Sequence, residues 1–412
     1  MNVHSPAPKT QAESELARQF TALKADAPRV AAFAAFEALG LPSRRNEAWH
    51  YTDLRAALKS VAPLARAPDA ARLAEARAQA EQTPRIGAVR LVLVDGHYIA
   101  ALSDDLPDGV TAPASAASAT PAPDAVAALN AAFAPAALRL AFSADVAPAV
   151  LEILHLDGPG AIYSRLDVAI AGKATVFERF EGATEQTQRN AVASVELAEG
   201  AWLDWTCLVG DAAALHLEAP VVRLGRHAEF RNFGLVCGGA LVRRQLDVGH
   251  SGEGAKIALS GLSLIDGRRH ADTTLTVRHD APRGASREYF RHIVADEGVG
   301  VYQGKVIVAQ AAQKTDGGMK SQALLLSPTA QMNNKPELEI FADDVVCGHG
   351  ATVGALDAEQ IFYCQARGLP RAQAEAMLLE AFGIEAIERV ADETVAGALR
   401  ERLGLWLKGR AR

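Results

Sequence analysis

Gly172, Gly200, Gly225, Gly254 and Gly284 punctuate a long stretch of short alternating runs, and their successive separations are 28, 25, 29 and 30 residues. No other feature constrains the fold as much. Within the stretch, Leu166, Val168 and Ile170 alternate with Arg165 and Asp167, which is the signature of a strand with one apolar face. Helical periodicity is nearly absent from 138 to 345. A strand-rich unit of this size cannot bury its own apolar face, but stacked copies bury one another's, so the period predicts a β-helix solenoid. A β-sandwich also shows short strands and frequent turns, and the pattern alone leaves it open.

Both flanks read differently. Thr10 and Glu13 form a capping-box pattern ahead of Leu16, Phe20 and Leu23, one apolar stripe of a helix. Asp26 and Pro28 open a second helix that carries Phe33, Phe36 and Leu39 and stops at Gly40 and Pro42. A third is expected to carry Leu54, Leu58 and Val61. The polar and aromatic run Arg44 to Thr52 between them is either a docking element or a plug built on Trp49 and Tyr51. From Val89 to Val94 the residues are strand formers, and Asp95-Gly96 predicts a hairpin into Tyr98-Ile99. Asp104 to Pro123 reads as a linker or surface loop, followed by a short helix with Val126, Leu129 and Phe133. Beyond Gly354, Asp357 and Gln360 open a helix, Ala374 to Phe382 forms another with Gly383 as its stop, and a last helix covers 385–403. The expected units are a helical region 1–88, a hairpin, linker and helix 89–137, a β-helix core 138–354 and a helical region 355–412.

A net charge of −7, with both signs scattered, leaves no basic stripe for phosphates and excludes nucleic acid as a partner. Met1 to Lys9 lacks the apolar core of a signal peptide and no run of about 18 apolar residues occurs, so a cytoplasmic address is expected, with no membrane association. Cys207, Cys237, Cys347 and Cys364 are widely spaced and make no Cys-x-x-Cys, which predicts reduced thiols and no self-contained metal site.

The most informative run for chemistry is Lys335 to Gly354. Leu338 and Ile340 alternate with Glu337 and Glu339, and if the extended form continues, Cys347 and His349 project to one side. They would sit about 7 Å apart, close enough to converge on one soft metal or one sulfur species. An imidazolium beside the thiol would lower its pKa. A cluster takes four ligands, so the missing ones must come from another chain. The plainer reading is a Cys-Gly-His-Gly turn whose side chains merely pack.

Other candidates fail or stay secondary. Gly304-Lys305 would need glycine and a hydroxyl residue where Val299 and Val306 stand, so no phosphate loop follows. His270, His279 and His292 lack metalloprotease spacing and are expected to be satisfied or solvated. Gln313 to Gly318 reads as a turn in which glycine supplies positive φ. Asp343 and Asp344 could serve a glycan-cleaving β-helix enzyme as acid and base, although 6% aromatics offers few stacking residues for a polymer.

Taken together, Ser286-Arg287-Glu288-Tyr289-Phe290, Tyr302-Gln303-Gly304-Lys305, Ala312 to Asp316, Leu324 to Pro328 and Glu337 to Gly354 resemble the SufB/SufD family of SUF iron–sulfur cluster scaffold proteins. Order and spacing both match. His349-Gly350-Ala351-Thr352 is similar to the SufD branch, whereas the SufB branch tends to carry Glu in place of Gly350. The resemblance implies a mainly β fold, a right-handed parallel β-helix between α-helical ends, and a non-catalytic role. It implies a heterodimer with a SufB paralogue through the final β-helix strands and, for the isolated chain, a homodimer. It also implies a SufC ABC-type ATPase at the C-terminal helices, with Arg367, Gly368, Leu369 and Phe382 as contacts. Cys347 and His349 would then lie at the SufB interface as shared metal ligands for a transient Fe–S cluster, with no cofactor held tightly by this chain alone. A SufB-like role as direct acceptor of persulfide or cluster stays open.

Overall fold

The computed structural model describes residues 8–112, 124–145 and 149–410; the 113–123 portion of the expected linker lies outside them. From Val150 onward the chain alternates between two sheets, each ten-stranded among the described residues, laying one strand in each per coil except where Leu215–Glu218 and Val221–Leu224 share one position. Every neighbouring pair among these strands is parallel, with Lys173 beside Trp202, Trp202 beside Glu229 and Glu229 beside Lys256. This is a β-solenoid, and the sandwich alternative falls. The glycines of the sequence repeat serve two needs: Gly200 and Gly254 take positive φ of 70° and 69°, and Gly172 and Gly284 have no room for a side chain. A Cβ on Gly172 would come within 2.5 Å of the Ser143 carbonyl oxygen, and one on Gly284 within 2.3 Å of His250 Nε2.

Leu, Val, Ile and Phe side chains from both sheets meet in the lumen, among them Leu166, Val168, Leu203, Phe230, Leu246 and Ile257. Outside, each sheet is covered by helices. Gln11–Thr21, Ala27–Leu39 and Ala125–Phe133 pack on one through Leu16, Phe33, Phe36 and Phe133 against Tyr163 and Leu217. Arg371–Ile387 and Glu393–Arg410 pack on the other through Leu379, Leu399 and Leu403 against Phe233, Leu235 and Leu262. Thr10 makes both bonds of the expected capping box, and Asp95 and Gly96 turn the hairpin with φ of 49° and 82°.

Several sequence readings need correction. The third helix ends at Ala57, and Val61 lies beyond it with its N–H donated to Glu15. Gly383 stops nothing. It sits inside Arg371–Ile387, where a Cβ would approach Leu403 Cδ2 to 2.7 Å, so it serves close helix packing. The last helix is accordingly Glu393–Arg410 rather than 385–403. In the Gln313 to Gly318 turn the positive φ falls on Lys314, at 63°, while Gly317 and Gly318 are already strand. Trp49 is a plug. It is 4% exposed beneath the Arg243 guanidinium, 3.8 Å from its ring centroid, and the Ala48 carbonyl accepts from Arg243 and Gln303.

Candidate functional site

The solenoid is closed at its first rung and open at its last. The starting edges are met by short antiparallel strands, His97–Tyr98 on Val89–Val94 and Val110–Thr111 on Leu138–Phe142. At the other end, Gln331–Ile340 and Val346–Gly354 each pair on one side only. Around this mouth Ile340, Phe341, Val346 and Val353 are exposed.

Cys347 and His349 stand on that last rung. Lys335 to Gly354 is two strands in different sheets, and the extended form resumes only at Val346. Cys347 lies in register with Gly317 and His349 with Met319, both on the buried inward face of Asp316–Leu325. The thiol and the imidazole therefore share the side that faces the lumen. Cys347 is half-buried against the core, whereas His349 is exposed because no further coil covers it.

Two columns of inward side chains run beneath the pair. One descends from Cys347 through Gly317, Ser286, Ile257, Phe230 and Leu203 to Ala174, the other from His349 through Met319, Glu288, Leu259, Asn232 and Trp205 to Val176. The strand Ala285–Val294 turns them polar, placing Ser286, Glu288 and His292 inside at no more than 2% exposure. Tyr302, fully buried, faces them from the opposite sheet, its ring centroid 6.2 Å from that of His292. Both His292 nitrogens and Tyr302 Oη have no hydrogen-bond partner, and Glu288 has only the Ser286 hydroxyl beside it. Buried polar groups left this way each cost roughly 1–3 kcal/mol, so the cluster is not packing filler.

His292 is thus neither satisfied nor solvated, contrary to the sequence reading. Burial pushes its pKa down to about 3. His270 meets Thr52 Oγ1 at 2.9 Å and His279 bonds His250 at 2.8 Å, so these two are satisfied as expected and His292 alone departs. Among the described residues no group of three or more His, Cys, Asp or Glu could hold a metal ion.

The expected activation of Cys347 by its histidine is overturned. Burial, aided by the charges of Asp316 and Glu288, pushes the thiol upward against the opposing Gly317 N–H and Arg287, so the neutral form prevails near pH 7.

Glu288 titrates abnormally, since burial raises its carboxyl to about 7 from 4.5. The folded chain keeps this proton where the unfolded chain loses it, so the group subtracts stability as pH rises from about 4.5 to about 7. We expect the stability of Glu288→Gln relative to wild type to grow by about 3 kcal/mol between about pH 4 and about pH 8. Urea unfolding at both pH values checks it, and a difference that does not change with pH would refute the assignment.

Of the residues expected to meet an ATPase, Arg367, Gly368 and Leu369 lie in the link between Ala358–Ala366 and Arg371–Ile387, and Phe382 lies on the second of these helices. Arg367 is exposed, with its guanidinium 4.8 Å from the Tyr363 ring centroid; Gly368 takes φ of 92°; Leu369 is half-buried. Phe382 is half-buried beneath Arg291, 4.2 Å from its ring centroid, and leans on the solenoid rather than outward. Sequence reasoning missed the outward apolar side chains on these helices: Phe362 is 71%, Tyr363 59% and Met377 50% exposed.

Comparisons with known proteins converge on one family. Residues 164–382 match the SUF system FeS cluster assembly SufBD core domain, and residues 10–138 match the SufBD protein N-terminal region. The iron–sulfur cluster assembly protein SufD of Escherichia coli is 31% identical over 397 residues, covering 90% of this chain and 91% of that one. A SufBD family protein of Synechocystis is 29% identical over 398 residues, covering 88% and 87%. The chloroplastic protein ABCI7 of Arabidopsis thaliana is 33% identical over 236 residues, covering 56% and 50%.

Proposed function

This chain belongs to the SufBD family of SUF iron–sulfur cluster assembly proteins, and from that membership we propose that it is a SufD-type scaffold subunit without catalytic activity of its own. It pairs with a SufB-type paralogue at the open end of the solenoid and carries a SufC-type ATPase on its C-terminal helices. The observation that supports this best is the uncapped rung. A strand edge with unpaired backbone groups, ringed by Ile340, Phe341, Val346 and Val353, is a template for another chain's strand.

Cys347 and His349 sit at that edge and offer a nascent cluster one thiolate and one imidazole. Two ligands cannot hold it, and the remainder come from the paired subunit, so the cluster is cargo built between chains. The exposed Phe362, Tyr363 and Met377 give the ATPase an apolar seat, flanked by Arg367. The glycan-cleaving alternative loses its ground with the family assignment.

Co-expression with SufB-type and SufC-type partners tests the proposal. The three chains should co-purify. Cys347→Ala and His349→Ala should leave that complex intact while lowering cluster formed on anaerobic reconstitution by about tenfold, the scale of losing a metal-site group. Failure to capture either partner would overturn the scaffold reading, and full cluster formation by both variants would remove these two side chains from it.

A further inference from the structure

The run Arg44 to Thr52, readable in the sequence as a plug or as a docking element, is a plug on one side only. Trp49 and Thr52 are its pegs, 4% and 1% exposed, and Thr52 Oγ1 donates to the Asp272 carboxylate beside His270. Arg44, Arg45, Asn46, Glu47 and His50 are all exposed. The pegs fix the run across the outer face of the last coils. The Ala48 carbonyl accepts from Gln303 on the strand next to the edge, and Glu47 Oε1 lies 3.0 Å from Lys335 Nζ on the edge strand Gln331–Ile340 itself. Burial, aided by the charges of Arg243 and Arg44, holds the pKa of His270 down, which places Arg44 beside the strand one further in.

Lys335, Glu337 and Glu339 stand on the outer face of the edge strand, because Leu338 between them packs into the lumen. A strand added to this edge lies about 4.8 Å beyond it, so its own outward side chains come beside Lys335 and within reach of the pinned run. Charge decides what those side chains are. Glu47 and Glu337 both meet Lys335, and Glu339 meets Lys305 at 2.6 Å, so each carboxylate on the outer face of the edge has an ammonium. Arg44 and Arg45 have no ion pair among the described residues. The charge left over beside the edge is therefore positive. We propose that the run from Arg44 to His50 is part of the docking face for the strand-adding partner, and that it selects a partner whose outward side chains there are carboxylates. This rests on the pairing proposed for the open end, and adds the chemistry the partner must carry beside it. Two guanidiniums on a pinned loop steer an acidic partner into place and repel a basic one.

The test is the affinity of the full chain for a purified SufB-type partner, measured by calorimetry at about 50 mM and about 500 mM salt, the first leaving surface charges felt and the second screening them. The double reversal Arg44→Glu with Arg45→Glu should lower affinity at least about tenfold at low salt. At high salt the difference from wild type should shrink to within about twofold. Both side chains are exposed, so thermal unfolding of the double variant should match that of wild type. Arg18→Glu is the control for net charge: its side chain is 76% exposed and lies beside Asp95 and His97 of the hairpin at the first rung, and its affinity should equal that of wild type. Binding by wild type that the double reversal does not weaken would overturn the proposal alone, as would an equal loss in Arg18→Glu. No binding by wild type would overturn the pairing at the open end as well, so the two failures are distinguishable.

Discussion

Arg244→Ala is expected to remove about 3–5 kcal/mol of folding stability, the loss that follows when one member of a buried ion pair is left alone. Arg244 and Glu218 are both inside the solenoid, on neighbouring strands of one sheet. The guanidinium donates Nε to one carboxylate oxygen at 2.8 Å and Nη2 to the other at 2.9 Å, a two-bond fork. Its space is made for it: a Cβ on Gly234 would fall 1.3 Å from Arg244 Nη1, so the facing strand carries no side chain there. Without the arginine, Glu218 would keep only the Cys207 thiol at 3.4 Å and His216 at 3.7 Å. His216 is held neutral by burial and supplies no charge. Glu218 is depressed chiefly against its own burial by Arg244, so its stabilising share is present near neutrality and lost as pH falls through its lowered pKa. Equilibrium urea unfolding measures the loss. Arg287→Ala, which breaks an exposed pair with Asp316, is the control and should cost under about 1 kcal/mol. An Arg244→Ala chain as stable as that control would show that the pair is not what holds the lumen's polar segment.

What the residues disclosed unaided follows the range of the interactions. The capping box at Thr10 and the Asp95-Gly96 hairpin are local consequences of backbone chemistry and were legible, and the glycine repeat was legible as a spacing although Gly172 and Gly284 are glycines because a neighbouring coil approaches. So was the shared side of Cys347 and His349, because a two-residue period fixes sidedness within any strand. Which side that is, and that the rung carrying them is the last, depends on the coil beneath, and no local pattern states it. Glu288 was opaque for the same reason. Between Arg287 and Tyr289 it reads as an ordinary wet position, yet it is the inward one, while Arg287 faces solvent. Gly383 misled in the opposite sense, since a glycine near a helix end is usually a stop and here accommodates Leu403 from the next helix. Phe362, Tyr363 and Met377 are exposed although apolar, and which face of their helices is left uncovered depends on how the helices dock, which no local pattern states.

The unequal treatment of the two ends of the solenoid leads to the sharpest prediction about assembly. A β-helix that must remain alone covers its terminal rungs, and this chain covers only the first. On Val346–Gly354, the Val346 N–H is donated inward to the Thr315 carbonyl. Strand geometry then sends the amides of Gly348, Gly350 and Thr352 to the preceding coil and those of Cys347, His349, Ala351 and Val353 to the open edge. Ala351→Pro therefore deletes a donor that the chain does not use itself and puts a ring where an added strand would lie. We expect thermal unfolding of the isolated chain to change little, while affinity for a SufB-type partner falls on the order of 100-fold, the effect of about 3 kcal/mol. Gly350→Pro, one residue earlier, should instead break the ladder to Asp316–Leu325 and lower the stability of the isolated chain as well. Calorimetry with the purified partner separates the two. Undiminished binding by Ala351→Pro would mean that the partner meets this end through side chains alone, and Cys347 and His349 would then be presented across a packed face instead of within a continuous sheet.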